Sequence, residues 1–477
     1  MSRLRVGTKL AYGLGQVAEQ IKSRGFDIFV FFYFNQILGL AGWMTGLAVA
    51  IALVFDAVTD PLAGSLSDSS RSPHGRRHPF MYASAAPLGI FWFLLFFPPA
   101  GIGSWGLFAW LTVFAILVRG AMTLYHVPHL ALGAEMTTDY QERTSVVAYR
   151  TMFGMFGGVI TTVIGLRVFF PETQGYANPL LNPTGYPRVA LFGAIVMILT
   201  VWYSAWGTRD LIPQLPKAPD HPEPFSFKRV YLEFLSAWEN RSFRALFVGF
   251  SIYAMSFGVT NTLSTHMNVF FWEFGPDEIA LLAVVFVPGF AIGAFLAQRL
   301  HQRFDKKQTL IGASLGSALL VNAGVALRLL GLFPENGSPL LLPLIMGFIL
   351  LVGVAAALGF ISAGSMMADV AQEYELHSGQ PRQGIFLSAT SFSGKLASGG
   401  GHLLAGFGIS LISFPVRATD PSAVAPELVR NLALLNLTAA SLTLLAIYAY
   451  TRYGISHERY AQILRNLADR AQVGPGS

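Results

Sequence analysis

The stretch WMTGLAVAIALVFDAVTDPLAG covers residues 43–64. Apart from Asp56 and Asp60 it carries no ionisable side chain, and it is long enough to cross the hydrocarbon core of a bilayer as a helix. Similar stretches recur along the whole chain of 477 residues, which is 53% hydrophobic and only 12% charged. Soluble domains carry about 25% charged residues. We therefore predict an all-α integral membrane protein.

Twelve membrane-spanning helices are predicted from these apolar stretches. They lie near residues 9–38, 44–66, 80–99, 105–134, 143–169, 188–208, 242–272, 278–299, 308–332, 339–368, 384–414 and 427–451. Basic connections such as SRSPHGRRHP (70–79) alternate with connections that have no basic residue, such as LGLAG (38–42). By the positive-inside rule, both termini are predicted to be cytoplasmic in a multi-pass protein of the plasma (inner) membrane.

The chain is predicted to consist of two halves of six helices. Residues 1–208 form the first bundle, 209–241 a cytoplasmic linker, 242–452 the second bundle and 453–477 a cytoplasmic tail. The segment VYLEFLSAW (230–238) in the linker is typical of an amphipathic surface helix. Two such halves indicate a transporter with its solute site between them near the midplane, although a channel or membrane enzyme can also have twelve spans.

The two acids of the second span are the strongest functional signal, because an intramembrane charge is costly. Asp56 and Asp60 are four residues apart and lie on one helix face. Two carboxylates so close must share a proton or hold a cation, which suits a cation-coupled carrier. The alternative is that the acids pair with basic residues on other helices. Thr59 adds a hydroxyl, which points elsewhere unless the helix distorts near Pro61.

Other function classes find little support in the chain. There is no G-x-x-x-x-G-K-[ST] nucleotide motif, and the absence of cysteine excludes disulfides and thiolate metal sites. The HVPH run (126–129) lacks a metal-specific spacing. The net charge of +6 is explained by basic cytoplasmic loops rather than by nucleic acid. We therefore expect no enzyme activity and no cofactor other than a coupling cation.

Three motifs carry a family resemblance. They are DAVTDPLAGSLSDSSRSPHGRRHPF (56–80), YHVPHLALGAEMTTDYQERTSVVAYR (125–150) and SATSFSGKLASGGG (388–401). The first contains the loop signature of the major facilitator superfamily, a glycine, an acid and a basic run. Together the three motifs resemble the glycoside–pentoside–hexuronide cation symporters of that superfamily, which implies the major facilitator fold and symport by alternating access.

The resemblance implies a role for individual residues. Asp56, Asp60 and Thr123 match the cation site of the family, and Thr59 stands where an asparagine is found. Lys395 matches a lysine near the cation and sugar sites, and we expect it to compete with the cation for the two acids.

The solute contacts match the family less well. Arg150 matches an arginine of the sugar pocket. Gln20 and His126 stand where galactoside carriers have acids, and Leu130 where they have a tryptophan. Galactoside recognition is therefore not implied, and YHVP is closer to lysophospholipid carriers.

A polar stripe follows one face of the first span. Gln16, Gln20, Arg24 and Asp27 are spaced i, i+4, i+8 and i+11. Glutamine amides suit hydroxyl-rich solutes and the Arg24 guanidinium suits an anion. Alternatively, Arg24 pairs with Asp27 or Asp60. We interpret His126 as a further solute contact.

A charged cluster is predicted at the cytoplasmic ends of the second and fourth spans. It consists of Asp68, Arg71, Arg76, Arg77, Glu135 and Arg143. We interpret it as a gate or an inter-helix pairing cluster, with Asp369, Glu373 and Glu375 as its equivalent after the tenth span.

The function predicted from these features is symport of a sugar or glycoside, coupled to Na⁺ or H⁺. The alternative is cation-dependent transport of a lysophospholipid or another amphipathic or anionic solute. The expected partners are a small-molecule solute and the lipid bilayer but no nucleic acid, and we expect a monomer. The sequence leaves open the solute, the cation, the oligomeric state and the conformation.

Overall fold

The structure is a computed structural model that describes residues 4–216, 226–378 and 383–473. Residues 217–225 of the predicted linker lie outside this range. The described residues form helices and connections and contain no strand. The sixteen α-helices in chain order are α1 Val6–Leu14, α2 Gln16–Gly25, α3 Gly42–Asp68, α4 His78–Leu95, α5 Ser104–Glu135, α6 Tyr140–Phe169, α7 Gly185–Thr208, α8 Phe227–Trp238, α9 Arg241–His266, α10 Pro276–Arg303, α11 Lys306–Leu329, α12 Leu341–Ser378, α13 Gln383–Leu411, α14 Pro426–Ser441, α15 Thr443–Tyr450 and α16 His457–Val473.

Shorter helical turns extend several of these helices. π-Helical turns cover Phe26–Val30, Tyr33–Ile37 and Met267–Phe271, and 3₁₀ turns cover Pro179–Leu181, Arg209–Gln214 and Pro421–Ala423. The π turns follow α2 and α9, which correspond to the first span of each predicted half. Such turns leave backbone groups out of the regular α pattern and often occur at functional sites.

The predicted all-α membrane fold is confirmed. Ten helices in the described part of the chain are long and apolar enough to cross a membrane. The first predicted span is formed by α1, α2 and the two π turns, and the eleventh by α13. These two spans are the more polar ones, because the first carries the stripe of Gln16 to Asp27 and the eleventh carries Lys395.

Two compact units divide the chain. Unit 1 comprises Met1–Phe225, Asn261–Ala283 and His402–Leu432, and unit 2 comprises Ser226–Thr260, Val284–Gly401 and Ala433–Ser477. The units differ from the predicted halves because two segments of the second half group with the first. The predicted boundaries between the two halves and the linker, near residues 208 and 242, stay a prediction.

Glycines bring the helices of unit 1 close together. In unit 1, α3 and α4 pack against α5, while α1 and α2 pack against α6. A Cβ at Gly154 would lie 3.0 Å from Gln16 Cγ, and a Cβ at Gly158 would lie 3.2 Å from Gln20 Cβ. Small residues of this kind allow close approach of membrane helices. The polar stripe of the first span therefore lies directly on α6.

Unit 1 also contains a seam at the face predicted to be extracytoplasmic. A Cβ at Gly406 would lie 2.2 Å from the carbonyl oxygen of Gly42, and one at Gly46 would lie 2.5 Å from that of His402. Asn35 Oδ1 lies 3.1 Å from His266 Nε2, where it can accept a hydrogen bond from the imidazole N–H. The start of α3 and the end of α13 are therefore in backbone contact.

Unit 2 has its own apolar core. Phe243, Met366, Phe386 and Tyr450 are each at most 2% exposed and belong to one cluster. The predicted amphipathic segment of the linker forms α8, which packs Phe234 and Trp238 on this cluster and leaves Tyr231 and Leu232 exposed.

Candidate functional site

The two acids of α3, Asp56 and Asp60, lie where α3 packs along α5. Asp56 is 4% exposed and Asp60 is half-buried. Thr123 Oγ1 lies 2.8 Å from Asp56 Oδ1 and 3.1 Å from Asp60 Oδ1. Since α3 packs along α5, a single hydroxyl reaches both carboxylates. The structure thus brings together three of the four residues that the resemblance placed at the cation site.

This geometry has a chemical consequence. A threonine hydroxyl has one proton, so it can donate to only one of the two carboxylates at a time. The other carboxylate oxygen then faces the hydroxyl lone pairs, and the two acids repel each other at low dielectric. A proton or a small cation among these oxygens relieves both contacts, because carboxylate and hydroxyl oxygens are ligands of hard cations.

Thr59 is oriented differently from the other three. Its hydroxyl donates to the backbone oxygens of Phe55 at 2.9 Å and Asp56 at 3.3 Å. α3 continues as an α-helix through Pro61, so the distortion that would turn Thr59 toward the acids is not present. Its part in cation binding stays a prediction.

Arg119 is the functional residue that the sequence analysis missed. It lies on α5 four residues before Thr123 and is 6% exposed. Its Nη1 is 3.4 Å from Asp56 Oδ2, and its Cζ is 4.5 Å from the centre of the Phe26 ring. Asp56 therefore pairs with a basic residue on another helix, as the alternative interpretation of the acids anticipated. The signal was available in FAILVRGAMT (114–123), which places one charge in an apolar run.

Lys395 lies in α13 and is half-buried, within unit 2. Its competition for the acids stays a prediction. Among the described residues, no group of three or more histidine, cysteine, aspartate or glutamate side chains is arranged to hold a metal ion.

The predicted solute residues of the first span lie among polar groups that lack hydrogen-bond partners. Within the described part of the chain, the buried atoms Gln16 Oε1, Glu19 Oε2, His126 Nε2 and His129 Nδ1 have none. Glu19 is otherwise held by Lys22 at 2.9 Å and by Ser23 at 3.0 Å. Buried polar groups are nearly always paired, so these atoms mark a place that water or a solute fills.

His126 and Arg150 belong to the same region. The charged groups that act on His126 are Glu19, Lys22, Asp60 and Arg150. The structure thus brings His126 near both an acid of the cation site and the predicted sugar-pocket arginine.

Arg150 also acts on Tyr12, which stacks on His129 with ring centres 4.3 Å apart. His129 Nε2 is 2.9 Å from the Tyr12 carbonyl oxygen. The neighbouring His129 therefore has a structural contact with α1, while His126 keeps an unused ring nitrogen.

Arg24 lies near an acid of its own helix segment. Among the charged side chains, Arg24 has the strongest electrostatic influence on Asp27, which also forms a side-chain hydrogen bond with Asn261. The pairing of Arg24 with Asp27 stays a prediction. A solute role for Arg24 stays a prediction.

The predicted gate residues form an ion-pair network. Glu135 Oε1 accepts from Arg76 Nη2 at 2.7 Å and from Arg77 Nη2 at 2.6 Å. Arg77 also pairs with Asp68 and donates to Ser67 Oγ. The network joins the end of α3, the start of α4 and the end of α5.

The other two predicted gate residues are Arg143 and Arg71. Arg143 donates to the Ala134 carbonyl oxygen at 3.0 Å and so caps the end of α5. Arg71 is exposed in the connection after α3.

The equivalent cluster lies in unit 2. Asp369 accepts from Lys306 Nζ at 2.7 Å, and Glu373 accepts from Arg459 at 2.5 Å and from Asn240 at 2.8 Å. Both acids lie near the end of α12, as predicted, while Glu375 is half-buried beside them.

The helices, the paired charged clusters and the intramembrane acids define a major facilitator transporter. Comparisons with known proteins agree. The model of the family described as MFS/sugar transport protein matches residues 11–457, and the chain belongs to this family. The predicted membership of the glycoside–pentoside–hexuronide cation symporters of the major facilitator superfamily is confirmed.

Curated relatives match over nearly the whole chain. The inner membrane symporter YicJ of Escherichia coli is 24% identical over 460 residues, which cover 96% of this chain and 92% of the relative. Sodium-dependent lysophosphatidylcholine symporter 1 of Mus musculus is 26% identical over 493 residues, which cover 96% and 88%.

Solved structures share the fold. A bacterial homolog of the human lysosomal transporter Spinster has a TM-score of 0.64 and 15% identity, with 97% of each chain covered. A D-xylose-proton symporter has a TM-score of 0.57 and 13% identity, with 92% of this chain and 96% of that chain covered. The protein is a multi-pass membrane transporter of the symporter type that acts on a small-molecule solute, and it is not an enzyme.

Proposed function

We propose that the protein couples the entry of a monovalent cation, Na⁺ or H⁺, to the transport of a sugar or glycoside by alternating access. The cation binds among Asp56, Asp60 and Thr123. The solute binds beside it, along the polar face of the first span and its neighbours on α5 and α6. In the proposed orientation both termini lie in the cytoplasm. The protein functions as a monomer.

The observation that carries the proposal is the shared hydroxyl of Thr123. It lies within 3.1 Å of oxygens from both carboxylates in a buried part of unit 1. A buried and a half-buried acid in one place cost free energy, because their charges are removed from water and repel each other. Reversible binding of a cation between the two carboxylates explains why they lie there, because the charge of the site then depends on the cation gradient.

The solute site is supported by unpaired polar atoms close to that cation site. Gln16, His126 and Glu19 each have a buried atom without a partner among the described residues. Glutamine and histidine can donate and accept hydrogen bonds, as sugar hydroxyls can. His126 feels Asp60 electrostatically, so solute and cation are close enough to influence each other.

A lysophospholipid is the second candidate. The relative from Mus musculus that is named a sodium-dependent lysophosphatidylcholine symporter matches 96% of this chain. Arg24 and Arg150 suit a phosphate, since guanidinium groups bind anions with a planar fork of donors. Counterflow in proteoliposomes with glycosides, uronates and lysophospholipids separates these solutes. Exchange of lysophospholipid alone would replace the sugar proposal.

Coupling is tested with Asp60→Asn. The substitution keeps the shape but removes one charge, so we expect cation-driven accumulation to fall to the level of facilitated exchange. The matched control is Asp210→Asn, whose carboxylate is 81% exposed outside the site. Uptake against a gradient is measured in vesicles with imposed Na⁺ or pH gradients. Accumulation by Asp60→Asn equal to that of the control would contradict the cation site.

A further inference from the structure

Arg119 carries a permanent charge in the middle of α5. A guanidinium does not lose its proton in a protein, so a buried one needs a carboxylate partner. Its contact with Asp56 is long, 3.4 Å from Nη1 to Oδ2, whereas such charge-assisted bonds are usually about 2.8 Å. Its Nε is buried with no partner among the described residues. The guanidinium is therefore held, but not tightly.

A second carboxylate is close in the chain to a side chain that Arg119 contacts. The guanidinium stacks on Phe26, and the next residue is Asp27. The charges of Arg24 and, more weakly, Arg119 both act on the Asp27 carboxyl. Arg119 thus pairs with an acid of the cation site on α3 and stacks on the neighbour of an acid at the first π turn.

We propose that Arg119 is a tethered cation that competes with the coupling cation for Asp56 and moves toward Asp27 when that cation binds. This inference rests on the proposed cation site. A cation that arrives at Asp56 repels the guanidinium and takes over its counter-charge. Asp27 is a second carboxylate on which the Arg119 charge acts, and it follows Phe26, the residue on which the guanidinium stacks.

The exchange connects the cation site to helix contacts. Asp27 forms a side-chain hydrogen bond with Asn261 of α9. The next residue of α9, Thr262, contacts His402 of α13 through its hydroxyl. Charge that moves from Asp56 to Asp27 changes the partners of Asp27 at this contact. Occupancy of the cation site thereby alters the interaction of the first span with α9.

The first test is Arg119→Gln, which removes the competitor. Because a unit charge beside Asp56 opposes a second cation, the half-saturating Na⁺ concentration should fall by about tenfold or more. Arg119→Lys keeps a positive charge, and a lysine can contact Asp56 through one nitrogen, as Arg119 does. The Na⁺ affinity of this variant should therefore stay within about threefold of that of the parent. Tryptophan fluorescence of the purified protein follows the Na⁺ titration at fixed pH, and a pH titration without Na⁺ covers proton binding.

The second test removes the alternative acceptor. Asp27→Asn should hold Arg119 on Asp56 and weaken cation binding by about fivefold or more, in keeping with loss of one charged partner. In the Arg119→Gln background the same Asp27→Asn change should have no effect on cation affinity. This non-additivity distinguishes exchange from a general effect of charge, which would add in the double variant.

The outcomes separate the two proposals. If Asp60→Asn binds the cation as the parent does, the cation site is wrong and the role of Arg119 is wrong with it. If Asp60→Asn loses the cation but Arg119→Gln binds it no better than Arg119→Lys, only the exchange is overturned. If Arg119→Gln does not fold, Asp27→Asn decides, and unchanged cation affinity in that variant overturns the exchange.

Discussion

The two ends of unit 1 are held together in different ways. At the predicted cytoplasmic end, Glu135 binds Arg76 and Arg77, and Lys9 Nζ lies 2.7 Å from Glu142 Oε2. At the opposite end, the backbone of Gly42 contacts that of Gly406, and the ion pair of Arg167 with Asp277 is exposed. Mostly buried ion pairs thus join the first end, whereas close packing of glycines joins the second.

The difference matters for a protein that must open. The ion pairs at the first end join single side chains, and each separated charge can be hydrated where water reaches it, at a cost that rises with the burial of the pair. A backbone seam gains its stability from many short contacts that are made or lost together. We infer that the ion pairs of the charged end separate one at a time, while the contacts of the glycine seam form or break together.

The largest effect is expected at the seam. Gly406→Val places a side chain where even a Cβ would lie 2.2 Å from the Gly42 carbonyl oxygen. Overpacking of this kind costs about 3 kcal/mol, so thermal unfolding in detergent should shift to clearly lower temperature. The control is Gly312→Val, because nothing lies within 4 Å of that Cβ position. Equal shifts for both variants would show that the seam is not tightly packed.

A smaller effect is expected at the charged end. Glu135→Gln leaves Arg76 and Arg77 without their shared carboxylate, although Arg77 keeps Asp68. Loss of one partner of a mostly buried pair costs about 2 kcal/mol here, less than for a fully buried pair. Transport rate and thermal midpoint should both fall, while the exposed Glu172→Gln should change neither. A transport rate equal to that of the parent would argue against a gate at this end.

The smallest effect is expected for an exposed ion pair of the same unit. Arg167 Nε lies 2.8 Å from Asp277 Oδ1, but the two side chains are 47% and 72% exposed. Pairs of this kind contribute less than about 1 kcal/mol. Asp277→Asn should therefore shift the thermal midpoint slightly at low salt and not at all at high salt. If the thermal midpoint shifted as much as it does for Glu135→Gln, burial would not determine how much each ion pair contributes to stability.

Local sequence patterns predicted the acids of the candidate site, but not the residues that contact them from other helices. The spacing of Asp56 and Asp60 places them on one face of α3, and the resemblance added Thr123. Arg119 is on the same face of α5 as Thr123 but was missed. A single arginine in an apolar run does not indicate which residue it contacts. His266 and His402, which bind Asn35 and Thr262 across the seam, were missed for the same reason.

The sequence by itself determined the membrane class, the twelve helical spans and the faces that carry charge. These features are local, because span length follows from the bilayer thickness and side-chain direction from the helical repeat. That Arg119 meets Asp56 and that Gly42 meets Gly406 follows from the tertiary structure. These contacts join residues up to several hundred positions apart, and no helical periodicity specifies which two faces pack together.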